Sequence, residues 1–345
     1  MKKTWICCWA ILLVTALLFG GLQALLMPKY MESMKEGALI REFYEDTKIS
    51  HDLLFLGDCE VYESFTPPTL WKEYGITSYV RGSAQQLVWQ SYYLLEDTLR
   101  YETPRAVVFN VYALRYGAPQ NEAYNRMTLD GMRWSGTKVR AILASMTEEE
   151  SFLSYVFPLL RFHSRWDELS GEDLTYWLRR EEISHNGYLM QTGVLAKNEE
   201  DIEPTPLADP TLPLSAMEYL EEMRLLCDAR GIELILVKAP TNNWRYHWYD
   251  EWDAQVAAYA ETHALAYYNF IPLQEEIGLD WTVDTYDRGA HLNVYGAEKL
   301  TSYLGKILSE KHGMPDHRSE AALSAVWNAK WTAYVNERDG AAPTE

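Results

Sequence analysis

Leu53-Leu54-Phe55-Leu56-Gly57-Asp58-Cys59 is an apolar run that stops abruptly at a glycine, an acid and a thiol. Four consecutive apolar residues suit a buried strand, and a glycine just beyond lets the backbone turn sharply and present the next side chain in a crevice. α/β enzymes present nucleophiles in this way. The competing reading of Cys59 is a small buried residue, the common fate of an unpaired cysteine.

A nucleophile needs a base, and the chain supplies Asp284-Thr285-Tyr286-Asp287-Arg288-Gly289-Ala290-His291-Leu292-Asn293 far downstream. A histidine a few residues after an aspartate can take the nucleophile's proton while the carboxylate fixes its tautomer. Asp287 is the first candidate acid and Asp284 the alternative. A loop acid with a capping histidine would leave the same local pattern.

The order of elements predicts an α/β fold with a doubly wound parallel sheet. Strand-like runs fall at 53–56, 76–80, 106–111, 232–237 and 265–269. A helical pattern of Leu39, Ile40, Phe43 and Tyr44 precedes the first, and between the others lie a helix from about Ser83 with Leu87, Leu94 and Leu95 inward and one around 253–263. The last unit is a helix over 296–308. Ligands of such sheets bind at the carboxyl ends of the strands, where Cys59, Gly82 and Asn110 fall.

Four blocks in this order resemble the SGNH (GDSL-like) hydrolase superfamily: Gly57-Asp58-Cys59, Ser78-Tyr79-Val80-Arg81-Gly82, Asn110, and His291-Leu-Asn-Val-Tyr-Gly-Ala-Glu-Lys. The nearest flavour is the membrane-anchored, cell-surface branch similar to the D-alanyl-lipoteichoic acid biosynthesis protein. The resemblance spans roughly residues 50 to 310. It implies that Cys59 stands where the family has its catalytic serine, that Gly82 and Asn110 are oxyanion donors, and that His291 is the general base with Asp287 behind it. Two departures stand out: the thiol itself, and an acid four positions before the histidine where three is usual, Arg288 filling the third. Gly289 can absorb the extra residue by taking positive φ. Read without the family, Gly82 opens a helix and Asn110 ends a strand.

A chain of 345 residues, 48% hydrophobic and 13% aromatic, is long enough for one sizeable α/β core plus appendages. The net charge of -19 disfavours nucleic acid and does not help to hold a polyanion. Trp5 to Met27 is uncharged and long enough to cross a bilayer, with Lys2 and Lys3 before it. It reads as an uncleaved anchor, with the domain facing outward from the plasma membrane, rather than as a signal peptide. The expected organisation is a membrane anchor over 1–30, the α/β domain over 31–311 with a helical insertion at 112–213, and an amphipathic helix and tail over 312–345. That last helix, with Leu323, Trp327, Trp331 and Tyr334 on one face, is expected to dock on its own domain.

The insertion interleaves polar residues with Trp and Tyr, suiting a carbohydrate cleft or, equally, a helical subdomain with an aromatic core. Arg126 and His163 within it, with Asp58 and Asn293 beside the main motifs, are the candidate substrate contacts. Cys227 lies on the core face of a helix over about 217–227, away from Cys59, which disfavours a disulfide between them. No metal-ligand spacing and no glycine-rich phosphate loop occur, so no metal or cofactor is expected. The resulting expectation is an extracytoplasmic esterase or acyltransferase acting on acyl esters of a cell-envelope polysaccharide or teichoic-acid-like polymer. Transfer would require a partner that delivers acyl groups, such as a membrane-bound O-acyltransferase, as the resemblance implies. The alternatives are an SGNH-shaped scaffold that binds polymer or a membrane partner without chemistry, and a small-ester lipase.

Overall fold

The computed structural model describes residues 2–27, 29–30, 34–35, 37–47, 49–178, 182–196 and 205–340. The helical insertion expected over 112–213 therefore lies partly outside the described residues, at 179–181 and 197–204.

Five strands form one parallel sheet: β1 (Leu53–Gly57), β2 (Ser78–Gly82), β3 (Ala106–Asn110), β4 (Glu233–Lys238) and β5 (Ala266–Asn269). Their order is β2-β1-β3-β4-β5, and every neighbouring pair is parallel. The chain reverses its direction of winding between β1 and β3, and the crevice at such a switch point is where doubly wound sheets bind ligands. Strand β2 starts two residues later than the apolar run at Ile76, because the Thr77 carbonyl accepts the N–H groups of Asp52 and Leu53 and closes the connection first.

The central strands are buried on both faces, as their near-continuous apolar sequence requires. Before them come α1 (Lys2–Leu26) and α2 (Ala38–Asp46); α3 (Cys59–Tyr62), α4 (Pro67–Tyr74) and α5 (Val88–Thr98) connect the first strands. The insertion folds as α6 (Glu122–Leu129), α7 (Gly136–Ser145), α8 (Phe152–Val156), α9 (Leu159–Phe162) and α10 (Gly171–Leu178). Then follow α11 (Leu214–Arg230), α12 (Asp250–Thr262), α13 (Gln274–Ile277), α14 (Val294–Lys311) and α15 (Ala321–Gly340).

Side chains alternate across the sheet. Leu54, Leu56, Val107, Phe109, Leu234 and Leu236 pack with Leu94 and Leu95 of α5, Leu220, Met223 and Cys227 of α11, and Val256 of α12. On the other face Leu53, Phe55, Val108 and Val237 meet Leu70 of α4, Leu300, Leu304 and Leu308 of α14, and Tyr334 of α15. Cys59 and Cys227 thus belong to cores on opposite faces, and both are free thiols. Helix α15 covers its own domain: Trp327 is fully buried and stacks on Trp71 with ring centroids 5.7 Å apart.

The turn after β1 depends on Gly57, at φ +150, where an added Cβ would meet the Val61 side chain at 2.5 Å and the Asn110 Cβ at 3.0 Å. A side chain there would push α3 away from β3. Gly57→Ala is expected to cost about 1–3 kcal/mol through overpacking, read as a lower urea midpoint at unchanged m-value.

Candidate active site

Cys59 opens α3, with Asp58 as its cap: the Asp58 Oδ1 accepts the Glu60 N–H at 3.2 Å. As the first helical residue, Cys59 has no intrahelical partner for its own N–H. Its side chain is 8% exposed, at the carboxyl end of β1.

His291 arrives from a loop with two consecutive left-handed residues, Arg288 at φ +65 and Gly289 at φ +84. These two residues tighten the turn between Asp287 and His291. The loop curls so that Asp287 grips the histidine twice, Oδ1 accepting its backbone N–H at 2.8 Å and Oδ2 lying 2.6 Å from ring Nδ1. Nδ1 thus shares a proton with Asp287, while Nε2 faces the Cys59 Sγ at 3.1 Å, accepting from the thiol when the ring is neutral and donating to the thiolate when it is charged. Asp284, the alternative acid, is committed elsewhere, with Oδ2 accepting the Asp280 N–H at 2.7 Å and pairing with Lys299 Nζ at 2.6 Å.

Three neighbouring segments hold this loop. The Gly289 carbonyl accepts the Asn242 N–H at 2.8 Å and the Thr241 hydroxyl at 3.1 Å, so the stretch after β4 borders the crevice. The end of the insertion forms an extended strap: the Leu189 N–H donates to the Tyr62 carbonyl of α3, the Leu195 N–H to Thr285, and the Arg288 N–H returns to Leu195. Finally, the Tyr246 ring meets His291 edge-on at 4.6 Å, and Tyr286 lies parallel to it at 6.2 Å.

A second carboxylate that the sequence reading missed stands behind the imidazole. Glu63 lies four residues after Cys59, its side chain 2% exposed, with Oε2 3.5 Å from His291 Nδ1 and Oε1 accepting the Tyr286 hydroxyl at 3.0 Å. The one-turn spacing from the nucleophile was the available signal. Burial pushes Glu63 up to about 7, against the pull of His291. Burial lowers the His291 value, but Glu63, Cys59 and Asp287 outweigh it and hold the ring well above its ordinary range. The Cys59 thiol is pushed up by burial, with His291 opposing. The site thus favours positive charge on the ring, the state created when His291 takes the thiol proton.

Several expected contacts lie elsewhere. Asn110 is fully buried; its Nδ2 donates to Glu60 Oε2 at 2.9 Å and its Oδ1 accepts the Ala239 N–H at 3.4 Å, so this amide is engaged beneath the nucleophile. Glu60 in turn receives Lys238 Nζ at 2.8 Å on both oxygens. Gly82 does sit at the turn, where a Cβ would lie 3.1 Å from the Gly57 carbonyl oxygen. Asn293 caps α14, its Oδ1 accepting the N–H groups of Tyr295 and Gly296, and its Nδ2 is held by the Gly193 and Val283 carbonyls, which leaves it no substrate role. Asp58 is wholly buried as a helix cap, with Oδ2 unpartnered among protein groups. Arg126 is enclosed in the insertion by Glu122, Asp130 and Ser154. His163 is exposed in a 3₁₀ turn packed against α1. Polarity and aromatic neighbours suggested the last two as substrate contacts, but ion pairing accounts for Arg126, and His163 lies in a turn packed against α1. Arg115 was not anticipated: its guanidinium lies 3.5 Å from the centroid of Tyr112 and 4.5 Å from that of Tyr116, with Nε free of protein partners.

No family model matches the chain, and no curated protein does. Among solved structures, a GDSL-like lipase of Bacteroides thetaiotaomicron is similar at 12% identity and TM-score 0.38, covering 80% of this chain and 99% of that one. A proposed acylhydrolase of Bacteroides fragilis is similar at 12% identity and TM-score 0.39, covering 82% of this chain and 99% of that one. Likeness at these scores carries no weight for activity, which is read from the site itself.

Two outcomes test this electrostatic arrangement. Glu63→Gln removes a negative charge beside Nδ1, so the His291 titration midpoint moves to lower pH, as followed by 15N imidazole NMR. Lys238→Met leaves Glu60 buried without its cation and is expected to cost about 3–5 kcal/mol, measured by denaturant unfolding.

Proposed function

We propose that this protein is a membrane-anchored, outward-facing SGNH-like acyl-ester hydrolase or acyltransferase whose nucleophile is Cys59. The observation that carries the reading is the Cys59–His291–Asp287 relay, with its 3.1 Å and 2.6 Å contacts in one crevice at the sheet's switch point. Sγ attacks the acyl carbonyl as its proton passes to Nε2; the tetrahedral intermediate collapses, and His291 returns that proton to the departing alcohol. The thioester on Cys59 then passes its acyl group to water or to a sugar hydroxyl, whose proton His291 accepts. The donors for the oxyanion are the backbone N–H groups of Cys59 and Gly82, because the Asn110 amide is engaged with Glu60.

The substrate class is an acyl ester on a cell-envelope glycopolymer. Tyr246 and Tyr286 beside His291, and Tyr116 with Arg115, offer rings and one cation at the crevice, a composition suited to sugar faces and an anionic group. The uncharged helix Thr4–Leu26 supports anchoring in the plasma membrane. Transfer, rather than hydrolysis, would couple this site to a membrane-bound O-acyltransferase that supplies the acyl group. A second reading, a polymer-binding scaffold without chemistry, is favoured by two observations: the thiol is buried, and the amide expected to steady an oxyanion is already engaged.

Acyl trapping separates the two. On incubation of the full-length protein with p-nitrophenyl acetate, mass spectrometry should find acetyl on the Cys59 peptide, and His291→Ala should slow its formation by about 10²–10⁴-fold. Iodoacetamide labelling of Cys59 should fall in the same variant. A wild-type thiol that neither acylates nor depends on His291 for alkylation would leave the scaffold.

A further inference from the structure

Helix α1 is not free along its whole length. Its first part is bare, with Trp5 65%, Leu13 61% and Leu18 70% exposed, whereas Phe19 is 37% and Leu26 2% exposed. The far end is gripped by the insertion. Phe19 meets Phe157 edge-on with centroids 6.2 Å apart, and Arg165 Nη1 donates to the Leu26 and Met27 carbonyls at 3.0 and 2.6 Å. Helices α9 and α10 and the 3₁₀ turn His163–Asp167 all pack against it.

Length then decides depth. A hydrocarbon core of about 30 Å takes about 20 residues at ~1.5 Å each, which from Thr4 reaches about Gln23. The span therefore includes Phe19, which is 37% exposed and meets Phe157 of the insertion, and Leu22, which is 43% exposed. Phe157, level with Phe19, lies about 10 Å deeper along the axis than the Leu26 carbonyl held by Arg165. The gripping elements expose large apolar side chains, Phe157 at 41%, Leu160 59%, Trp166 72%, Leu174 49% and Leu178 67%, interspersed with the exposed polar residues Arg161, His163, Asp167 and Glu172. An exposed apolar surface of this kind, continuous with a membrane-spanning helix, suits acyl chains rather than water. Trp166, next to the Arg165 that marks the end of the span, is at the level where tryptophan is enriched in membrane proteins. Arg161, beside Leu160, is held by Glu122 at 2.7 Å.

We propose that α9, the His163–Asp167 turn and α10 form an in-plane platform that sinks into the bilayer leaflet around the end of α1, so that the domain is seated on the lipid surface rather than tethered above it. This rests on the reading of α1 as an anchor; it does not rest on the chemistry of Cys59. The N–H of Leu160 pairs with the Phe157 carbonyl, and those of Arg161 and Phe162 with Pro158, which lowers the cost of seating α9 at the headgroup–acyl boundary.

The test uses the full-length protein reconstituted in phosphatidylcholine vesicles with or without brominated acyl chains. A fluorescent amino acid replaces, one at a time, Leu18 of α1, Leu160 of α9, and Leu214 of α11, which is 73% exposed in a helix that packs on the sheet. The expected result is loss of emission to bromolipid at Leu18 and Leu160 and none at Leu214. Quenching at Leu18 with Leu160 behaving like Leu214 would overturn the platform, keep the anchor, and leave this face to a protein partner. Absence of quenching at both sites would overturn anchor and platform together. Quenching at Leu160 alone would discard the anchor and with it the platform as proposed, leaving a peripheral membrane contact in its place.

Discussion

A lysine ammonium buried at the carboxyl end of the sheet organises the crevice. Lys238 ends β4 with its Nζ 2.8 Å from both oxygens of Glu60 and 2.7 Å from the Ala239 carbonyl, while Asn110, ending β3, donates to the same carboxylate. Charges removed from water hold only when paired and fully hydrogen-bonded. Because Glu60 belongs to α3, one turn of helix is tied to the ends of two strands, and the residue before it is turned outward. Cys59 reaches the crevice because Glu60 points the other way.

The opposite wall obeys a different constraint. His291 stands on a loop, and loops position catalytic groups only when something rigid holds them. Here the holders are the Asp287 carboxylate, which binds ring and backbone together, the Thr241–Asn243 stretch after β4, and the strap through Leu189 and Leu195. The tail of the insertion is therefore part of the site's frame, bonded by backbone groups to α3 on one side and to the histidine loop on the other. Two carboxylates behind one imidazole, Asp287 half-exposed and Glu63 buried, stabilise the ring's charge in a site whose burial would otherwise oppose it. A buried thiol raised by desolvation needs such a partner to become a nucleophile.

Much of this was legible from local pattern. The five strands and their alternation with helices followed from apolar runs and periodicity, with boundaries displaced by a few residues where capping and ladder hydrogen bonds decided them, as at Ser78 and Val88. Gly57-Asp58-Cys59 and Asp287 to His291 could be singled out because strand, glycine and acid–base spacing are local signals. Arg126 and His163 misled because a polar residue among aromatics looks the same in sequence whether it awaits a ligand or closes an ion pair. Asn110 and Asn293 were placed correctly on their elements, but their partners, Glu60 and the Gly193 and Val283 carbonyls, lie 50 or more and 10 or more residues away.

The sequence by itself determined the elements, the order in which they follow, and the apolar helix at the N-terminus, since backbone preference and hydrophobic period act over a few residues. Only the tertiary structure decided which acid faces His291, that Glu63 joins it, that Asn110 is engaged beneath the thiol, and that the insertion embraces the end of α1. Apart from the Asp287–His291 pair, whose geometry is set by the segments that hold its loop, each of these is a contact between residues far apart in the chain. Their geometry depends on how the sheet twists and how the helices pack, and no local stretch encodes it.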